Sequence, residues 1–126
     1  MHEIKNNNDS LVSTEWLFKN LNATNLKIAD VSQHLPTTNR VALNEYLKEH
    51  IPGAFFLNQA DLAEPNSTLP NTIPRPEHFS KIVTEYGISS SDNVVLYDID
   101  GIGVAPRVWW LFRYFGHKNI FVLDGA

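Results

Sequence analysis

Residues 93–125 read NVVLYDIDGIGVAPRVWWLFRYFGHKNIFVLDG, and they contain the strongest strand signal of the chain. The unbroken apolar run at 93–97 predicts a buried strand, and the acidic, glycine-containing segment at 98–103 predicts a tight loop. Apolar residues at helical spacing predict a helix over 104–114, and a second apolar run predicts a strand over 119–123. A strand followed by a helix and another strand is typical of a unit in which the two strands lie parallel.

The chain before this stretch repeats the alternation of strands and helices. Strands are predicted at 26–31 and 54–57, helices at 14–21, 42–50 and 76–86, and one further helical turn at 59–62. Ser13 is a suitable N-cap for the first of these helices, and Pro76 suits the first position of the helix that it begins. Together these elements predict an α/β domain with a mostly parallel central sheet flanked by helices.

The composition narrows the classes of function. The 126 residues suit a single domain, and 43% hydrophobic residues are enough for a packed core. A formal net charge of -4, with the ten lysines and arginines scattered, argues against nucleic acid as a partner. No apolar run approaches the ~20 residues of a membrane span. The polar start predicts a disordered tail over 1–10 and no secretory signal.

The chain contains no cysteine. This excludes disulfide bonds, thiolate-bound metals and any mechanism whose nucleophile is a thiolate of this chain. A protein without disulfides also fits a cytoplasmic location.

Three segments carry a resemblance to a known family. They are LVSTEWL at 11–17, HIPGA at 50–54, and APRVWWLFRYFGH at 105–117, the last followed by VLDG at 122–125. Together they resemble the N-terminal domain of the tandem rhodanese enzymes, the thiosulfate and 3-mercaptopyruvate sulfurtransferases. The resemblance implies a rhodanese-like domain over 11–126.

The resemblance implies how sulfur moves in the intact enzymes. A donor such as 3-mercaptopyruvate or thiosulfate loses sulfur to a cysteine of the second domain, and a thiophilic acceptor takes it, without a metal or an organic cofactor. That cysteine lies in a loop after the central strand, where backbone N–H groups form an anion cradle that also lowers a thiol's pKa. Asp98 stands at the corresponding place here. We therefore expect no catalytic residue in this chain and no activity of the chain by itself.

The resemblance also implies a missing portion. A parallel sheet needs helices on both faces, and no helix follows the last predicted strand. We expect a domain that is truncated after that strand and lacks its last helix. The expected partners are a C-terminal catalytic rhodanese domain, in the same or a separate chain, and a small sulfur-donor substrate in the intact enzyme.

Two candidates for the cleft between the domains flank one predicted helix. In this family the histidine that matches His50 lies near the cleft, and an aspartate upstream has been proposed to assist it. This chain reads Arg40-Val41-Ala42 where the family often reads Arg-Asp-Ala, so the acidic partner is absent. The other interpretation of His50 is structural: it caps the helix end and packs beside Pro52. Arg40 is retained as a cleft candidate.

Arg107 is the third candidate. It could face the cleft or the partner domain, or it could form an ion pair with Asp98 or Asp100 across the short loop. Asp30, at the end of the first predicted strand, is expected to accept a hydrogen bond that orders the following loop.

Two functions of other classes stay open. Rhodanese folds without cysteine can serve as binding or regulatory modules, and the anion-shaped loop could hold a small ligand if Arg107 neutralises its acidic side chains. A strand followed by Asp98-Ile99-Asp100-Gly101 also resembles the start of haloacid-dehalogenase-type phosphatases. There the first aspartate attacks phosphorus and Mg²⁺ neutralises the phosphate. Too few residues follow Asp100 for the later segments that this chemistry requires.

Overall fold

A computed structural model describes residues 10–34, 36–65, 73–99 and 103–124. Its strands and α-helices, in chain order, are β1 (Leu11–Ser13), α1 (Thr14–Lys19), β2 (Leu26–Asp30), α2 (Ala42–Lys48), β3 (Phe55–Phe56), α3 (Pro76–Glu85), β4 (Asn93–Tyr97), α4 (Ala105–Tyr114) and β5 (Ile120–Asp124). Two 3-10 turns, Pro36–Thr38 and Gln59–Leu62, lie in the connections. The predicted α/β class is confirmed, and every pair of neighbouring strands among these residues is parallel.

The strand order β1-β5-β4-β2-β3 places β4 at the centre of the sheet. It pairs with β5 on one side and with β2 on the other, where Asp30 lies opposite Tyr97. All residues of β4 are buried, which explains why its sequence is a continuous apolar run and not an alternating one. The carboxyl ends of β2 and β4 lie side by side, so the loops that follow them share one edge of the sheet.

Side chains of β4 alternate between two hydrophobic clusters on opposite faces of the sheet. Val94 and Leu96 belong to the larger cluster, which packs under α3 and α4 and contains Phe112. Val95 and Tyr97 belong to the smaller cluster, which packs against α1. Helices thus contact both faces of the sheet, as burial of a parallel sheet requires.

The first strand is the element that sequence patterns did not predict. β1 has only three residues, and Leu11 lies opposite Val122 of β5. A run this short has no measurable periodicity, so only its pairing with a strand distant in the chain identifies it. Ser13 ends this strand and caps α1, because its Oγ accepts a hydrogen bond from the N–H of Trp16 at 3.0 Å. The predicted N-cap is confirmed.

The structure shortens the predicted helices at their ends. α1 ends at Lys19, where 21 was predicted, and the side-chain amide of Asn20 closes it by donating to the Trp16 carbonyl at 2.7 Å. α2 ends at Lys48, where 50 was predicted, and α4 begins one residue later than predicted, at Ala105. Helix ends are set by capping contacts, which hydrophobic periodicity does not locate.

A core substitution tests the larger cluster. Phe112 is fully buried and packs edge-on against Phe79 at a centroid distance of 5.2 Å. Phe112→Ala should lower the free energy of unfolding by about 3–5 kcal/mol, because contacts are lost and a cavity is left. Urea denaturation followed by circular dichroism measures this change. Tyr114→Ala, in the same helix at a position 59% exposed, is the control and should cost less than about 1 kcal/mol. Equal losses in the two variants would contradict the core assignment.

Candidate functional site

Asp98 follows the last residue of β4 and is only 3% exposed. Its Oδ2 accepts hydrogen bonds from the backbone N–H groups of Gly103 at 2.8 Å, Val104 at 2.8 Å and Ala105 at 3.2 Å. These amides lie at the N-terminus of α4, where N–H groups have no partner within the helix and the helix dipole is positive. The carboxylate therefore occupies an anion cradle formed by the start of this helix, here called the amide cradle (the N–H groups of residues 103–105).

The other carboxylate oxygen of Asp98, Oδ1, differs from Oδ2 in its hydrogen bonding. Asp98 Oδ1 is buried and has no hydrogen-bond partner within residues 10–34, 36–65, 73–99 and 103–124. A cavity of about 120 Å³ borders Asp98, and its lining includes Ser32 and His34 from the loop after β2. Loss of a hydrogen bond to a buried polar atom is costly, so Oδ1 is the least stabilised part of this side chain.

The loops after β2 and β4 are tied together by hydrogen bonds. Asp30 Oδ1 accepts from the N–H of Ser32 at 2.9 Å, so the predicted loop-ordering role of Asp30 is confirmed. Ser32 Oγ in turn accepts from the N–H of Ile99 at 2.8 Å. Ile99, which follows Asp98, is thus held by the neighbouring loop. Ile99 and Ser32 both line the cavity.

A charged network links the same cavity to α2. The side chain of His34 is 6% exposed, and its Nε2 donates to Glu45 Oε1 at 2.8 Å. Arg40 donates to the other carboxylate oxygen through Nε at 2.8 Å and to Oε1 through Nη2 at 3.1 Å. Hydrogen bonds from Arg40 and then from His34 lower the pKa of Glu45 to about 2. Arg40 therefore reaches the site indirectly, through Glu45 and His34.

His50 lies beyond the other end of α2. Its Nδ1 donates to the carbonyl of Tyr46 at 2.7 Å, and its ring stacks on the Tyr46 ring at a centroid distance of 4.1 Å. The hydroxyl of Tyr46 donates to the Ala54 carbonyl at 2.7 Å, which anchors the segment after the helix. The contact with the helix end expected of His50 is present. Its imidazole is nevertheless exposed, so a role at a cleft stays a prediction.

Arg107 lies in the first turns of α4 and is partly buried, and burial lowers the pKa of its guanidinium. Asp98 is held by backbone amides, as described above. Asp100, the other predicted ion-pair partner and the second acid of the phosphatase hypothesis, lies outside the described residues. The ion pair of Arg107 and the paired role of Asp98 and Asp100 therefore stay predictions.

The family is decided by a comparison that covers most of the chain. The family model of the rhodanese-like domain matches residues 13–126. The chain belongs to the rhodanese family. In this rhodanese-like domain, Asp98 and the amide cradle lie directly beyond the carboxyl end of β4, the central strand.

Three relatives of this rhodanese-like domain are longer proteins. It is 41% identical over 118 residues to thiosulfate/3-mercaptopyruvate sulfurtransferase 1, mitochondrial, of Arabidopsis thaliana, covering 94% of this chain and 31% of that protein. It is 40% identical over 123 residues to thiosulfate sulfurtransferase of Bos taurus, covering 93% and 41%. The crystal structure of the 3-mercaptopyruvate sulfotransferase SseA from Escherichia coli matches with a TM-score of 0.85 at 33% identity, covering 94% and 45%. The chain thus spans less than half the length of each relative.

His34 and Glu45 are the residues of this rhodanese-like domain that sequence reasoning missed. They are eleven positions apart, with no shared periodicity, so only the fold brings them together.

Within residues 10–34, 36–65, 73–99 and 103–124, no group of three or more histidine, cysteine, aspartate or glutamate side chains could hold a metal ion. In the same ranges, no helix has the length and apolar character needed to cross a bilayer.

The charged network on α2 makes a pH-dependent prediction. Because the pKa of Glu45 falls from 4.5 to about 2 on folding, its contribution to stability is complete above about pH 4.5 and is lost as the pH falls toward about 2. The melting temperature of Glu45→Gln should therefore lie below that of the wild type near neutral pH and converge with it as the pH falls through this window. Scanning calorimetry from neutral to acid pH measures the difference. Glu49→Gln, at an exposed position just after α2, controls for the loss of one negative charge. A difference that stays constant down to about pH 2 would argue against the network.

Proposed function

We propose that this chain is the non-catalytic first domain of a thiosulfate/3-mercaptopyruvate-type sulfurtransferase. The observation that supports this most directly is Asp98 in the amide cradle of a rhodanese-like domain that contains no cysteine. Carrying a transferable sulfur atom requires a thiolate, which attacks the donor and becomes a persulfide. A carboxylate forms no such adduct, so the nucleophile must come from elsewhere.

The second domain of the intact enzyme would supply that nucleophile. The matched relatives are named for thiosulfate and 3-mercaptopyruvate, and this chain spans only 31–41% of the curated ones. In the proposed enzyme the sulfur donor loses sulfur to a cysteine of the second domain, and a thiophile such as cyanide or a thiol then takes it. This chain would form one wall of the cleft and hold it rigid, with Arg40, His50 and Arg107 as the candidates nearest the donor or the partner domain.

Helix α2 is the surface that we assign to contact with the second domain. None of its residues is buried, and two of its exposed residues are apolar: Leu43 is 44% exposed and Leu47 is 67% exposed. These leucines are four positions apart, so they share one face of the helix. An exposed apolar helix face indicates a binding partner, and the additional length of the relatives favours the second domain as that partner.

We also keep the proposal of a cytoplasmic location, which fits a chain without cysteine. One relative from Arabidopsis thaliana is named as mitochondrial, so the compartment of that protein differs from the one proposed here.

Activity of the isolated chain is the direct test. The purified wild-type protein should form no thiocyanate from cyanide with either thiosulfate or 3-mercaptopyruvate as donor, because it has no thiolate. The ferric thiocyanate assay measures the product, and an active tandem enzyme run in parallel shows that the assay works. Thiocyanate formation above that of a heat-denatured sample would refute the assignment.

Binding to a catalytic domain tests the assigned surface. The isolated second domain of the Arabidopsis relative can be titrated with the wild-type chain and with Leu47→Ser, by isothermal calorimetry. We expect the substitution to weaken binding by roughly tenfold, since an apolar side chain that would be buried is lost. The melting temperature should change little, because Leu47 is exposed in the free chain.

Phe18→Ser is the matched control for this titration, since Phe18 on α1 is 78% exposed and lies outside the assigned surface. It should bind like the wild type. Equal weakening by both substitutions, or no binding of the wild type at all, would count against α2 as the interdomain surface. Binding without any rise in sulfur transfer would instead favour a regulatory module.

A further inference from the structure

We propose that a groove between α3 and α4 is a binding site for a small, neutral, planar aromatic molecule. The groove has a volume of about 480 Å³ and lies between one face of α3, the turn at 88–90 and the C-terminal end of α4. Sites for small molecules usually have volumes of about 300–1,000 Å³, so this groove has a suitable size. The inference does not depend on sulfur chemistry, since the groove and the cavity beside Asp98 share none of the described residues.

The groove lies at the opposite edge of the sheet from Asp98. Ser89 and Ser90 come before β4, and Gly116 and His117 come before β5, whereas Asp98 follows β4. The five residues of β4 span roughly 17 Å at the usual rise per residue. One small molecule is too short to contact both places, so the groove is a separate site.

Phenylalanine rings form the deep part of the groove. Phe79 is 6% exposed and Phe112 is fully buried, and their rings meet edge-on. Phe115 is only partly buried and stacks on Phe79 at a centroid distance of 4.5 Å. Stacked and edge-on contacts are the two arrangements that aromatic rings prefer. A planar ring that enters the groove can therefore extend an arrangement that is already present.

The charges of the lining decide which aromatic molecules fit. The chain has 10 lysines and arginines and 14 aspartates and glutamates, yet none of them is among the described residues that line the groove. Its exposed polar groups are the hydroxyls of Ser80, Thr84, Ser89 and Ser90. A charged ligand would lose hydration here without gaining an ionic partner, which is costly. The lining therefore matches an uncharged ligand.

His117 adds one directional polar group to the lining. Its Nε2 lies 2.9 Å from the carbonyl oxygen of Asp92, so Nε2 is the nitrogen that carries the proton and donates. In the neutral imidazole the other nitrogen, Nδ1, is then an acceptor. Together with the serine and threonine hydroxyls, this acceptor matches an aromatic ring that bears a hydroxyl or N–H group.

Binding of 2-naphthol, which is planar and uncharged near neutral pH, tests the proposal by isothermal titration calorimetry. We expect the wild-type chain to bind it with a dissociation constant on the order of 0.1–1 mM, a modest affinity for a molecule of this size. The anion 2-naphthoate has the same rings and should bind at least about tenfold more weakly, because the groove offers it no cation. No detectable binding of 2-naphthol, or equal binding of the two compounds, would overturn the proposal.

A substitution that fills the groove tests where the ligand binds. Thr84 is exposed on the face of α3 that lines the groove, so the indole of Thr84→Trp would occupy the site without replacing a core residue. This variant should bind 2-naphthol at least about tenfold more weakly than the wild type. Thr24→Trp makes the same exchange in an exposed turn between α1 and β2 and should bind like the wild type. Equal affinities of both variants would count against the groove.

NMR of the wild-type chain provides a second test that needs no variant. Addition of 2-naphthol should shift the amide resonances of Ile88, Ser90 and Gly116, which line the groove. The resonances of Leu43 and Leu47 on α2 should move less. Shifts centred on α2 would show adsorption to an exposed apolar surface and would overturn the proposal. Groove resonances that move with protein concentration alone would show that a second copy occupies the groove, which would also overturn it.

Discussion

Hydrogen bonds between the Asp98 carboxylate and the first amides of α4 join the tip of the central strand to the start of a helix. Charge-assisted bonds of this kind are stronger than neutral ones, and these satisfy donors that no residue of the helix can reach. They determine where α4 begins and how its buried face is presented to the sheet. The N–H of the next residue, Ile99, donates to Ser32 Oγ from the neighbouring loop, so the end of β4 is held by two sets of hydrogen bonds.

The interaction also shows what occupies the amide cradle in a rhodanese-like domain that contains no cysteine. An amide cradle needs an anion to be stable, and the anion can be a substrate, a persulfide or a side chain of the protein. In this domain the anion is the Asp98 side chain, so the N–H groups of residues 103–105 have an anionic partner without a ligand. Asp98 Oδ1 is at the same time buried, and it has no hydrogen-bond partner among the residues that the structure describes.

Helix α2 is held to the domain by polar contacts more than by burial of apolar side chains. It is attached through polar contacts, chiefly the network of Glu45 with Arg40 and His34, and through the ring and hydroxyl of Tyr46. Its leucines point away from the domain's core. Polar contacts near the surface contribute little stability, whereas burial of leucine contributes much more. Of the α-helices that the structure describes, α2 is the one without a buried residue.

Local sequence patterns were sufficient for the α/β class, the buried strand at 93–97, the capping role of Ser13, the loop-ordering role of Asp30 and the absence of a thiolate. Each of these depends on local patterns: apolar periodicity, short-range hydrogen bonds and composition. Only the tertiary structure revealed β1, the contact of His34 with Glu45, and the seating of Asp98 Oδ2 against the amides of residues 103–105. These depend on which strands become neighbours and on where a backbone turns back on itself, and both are outcomes of packing that no local pattern encodes.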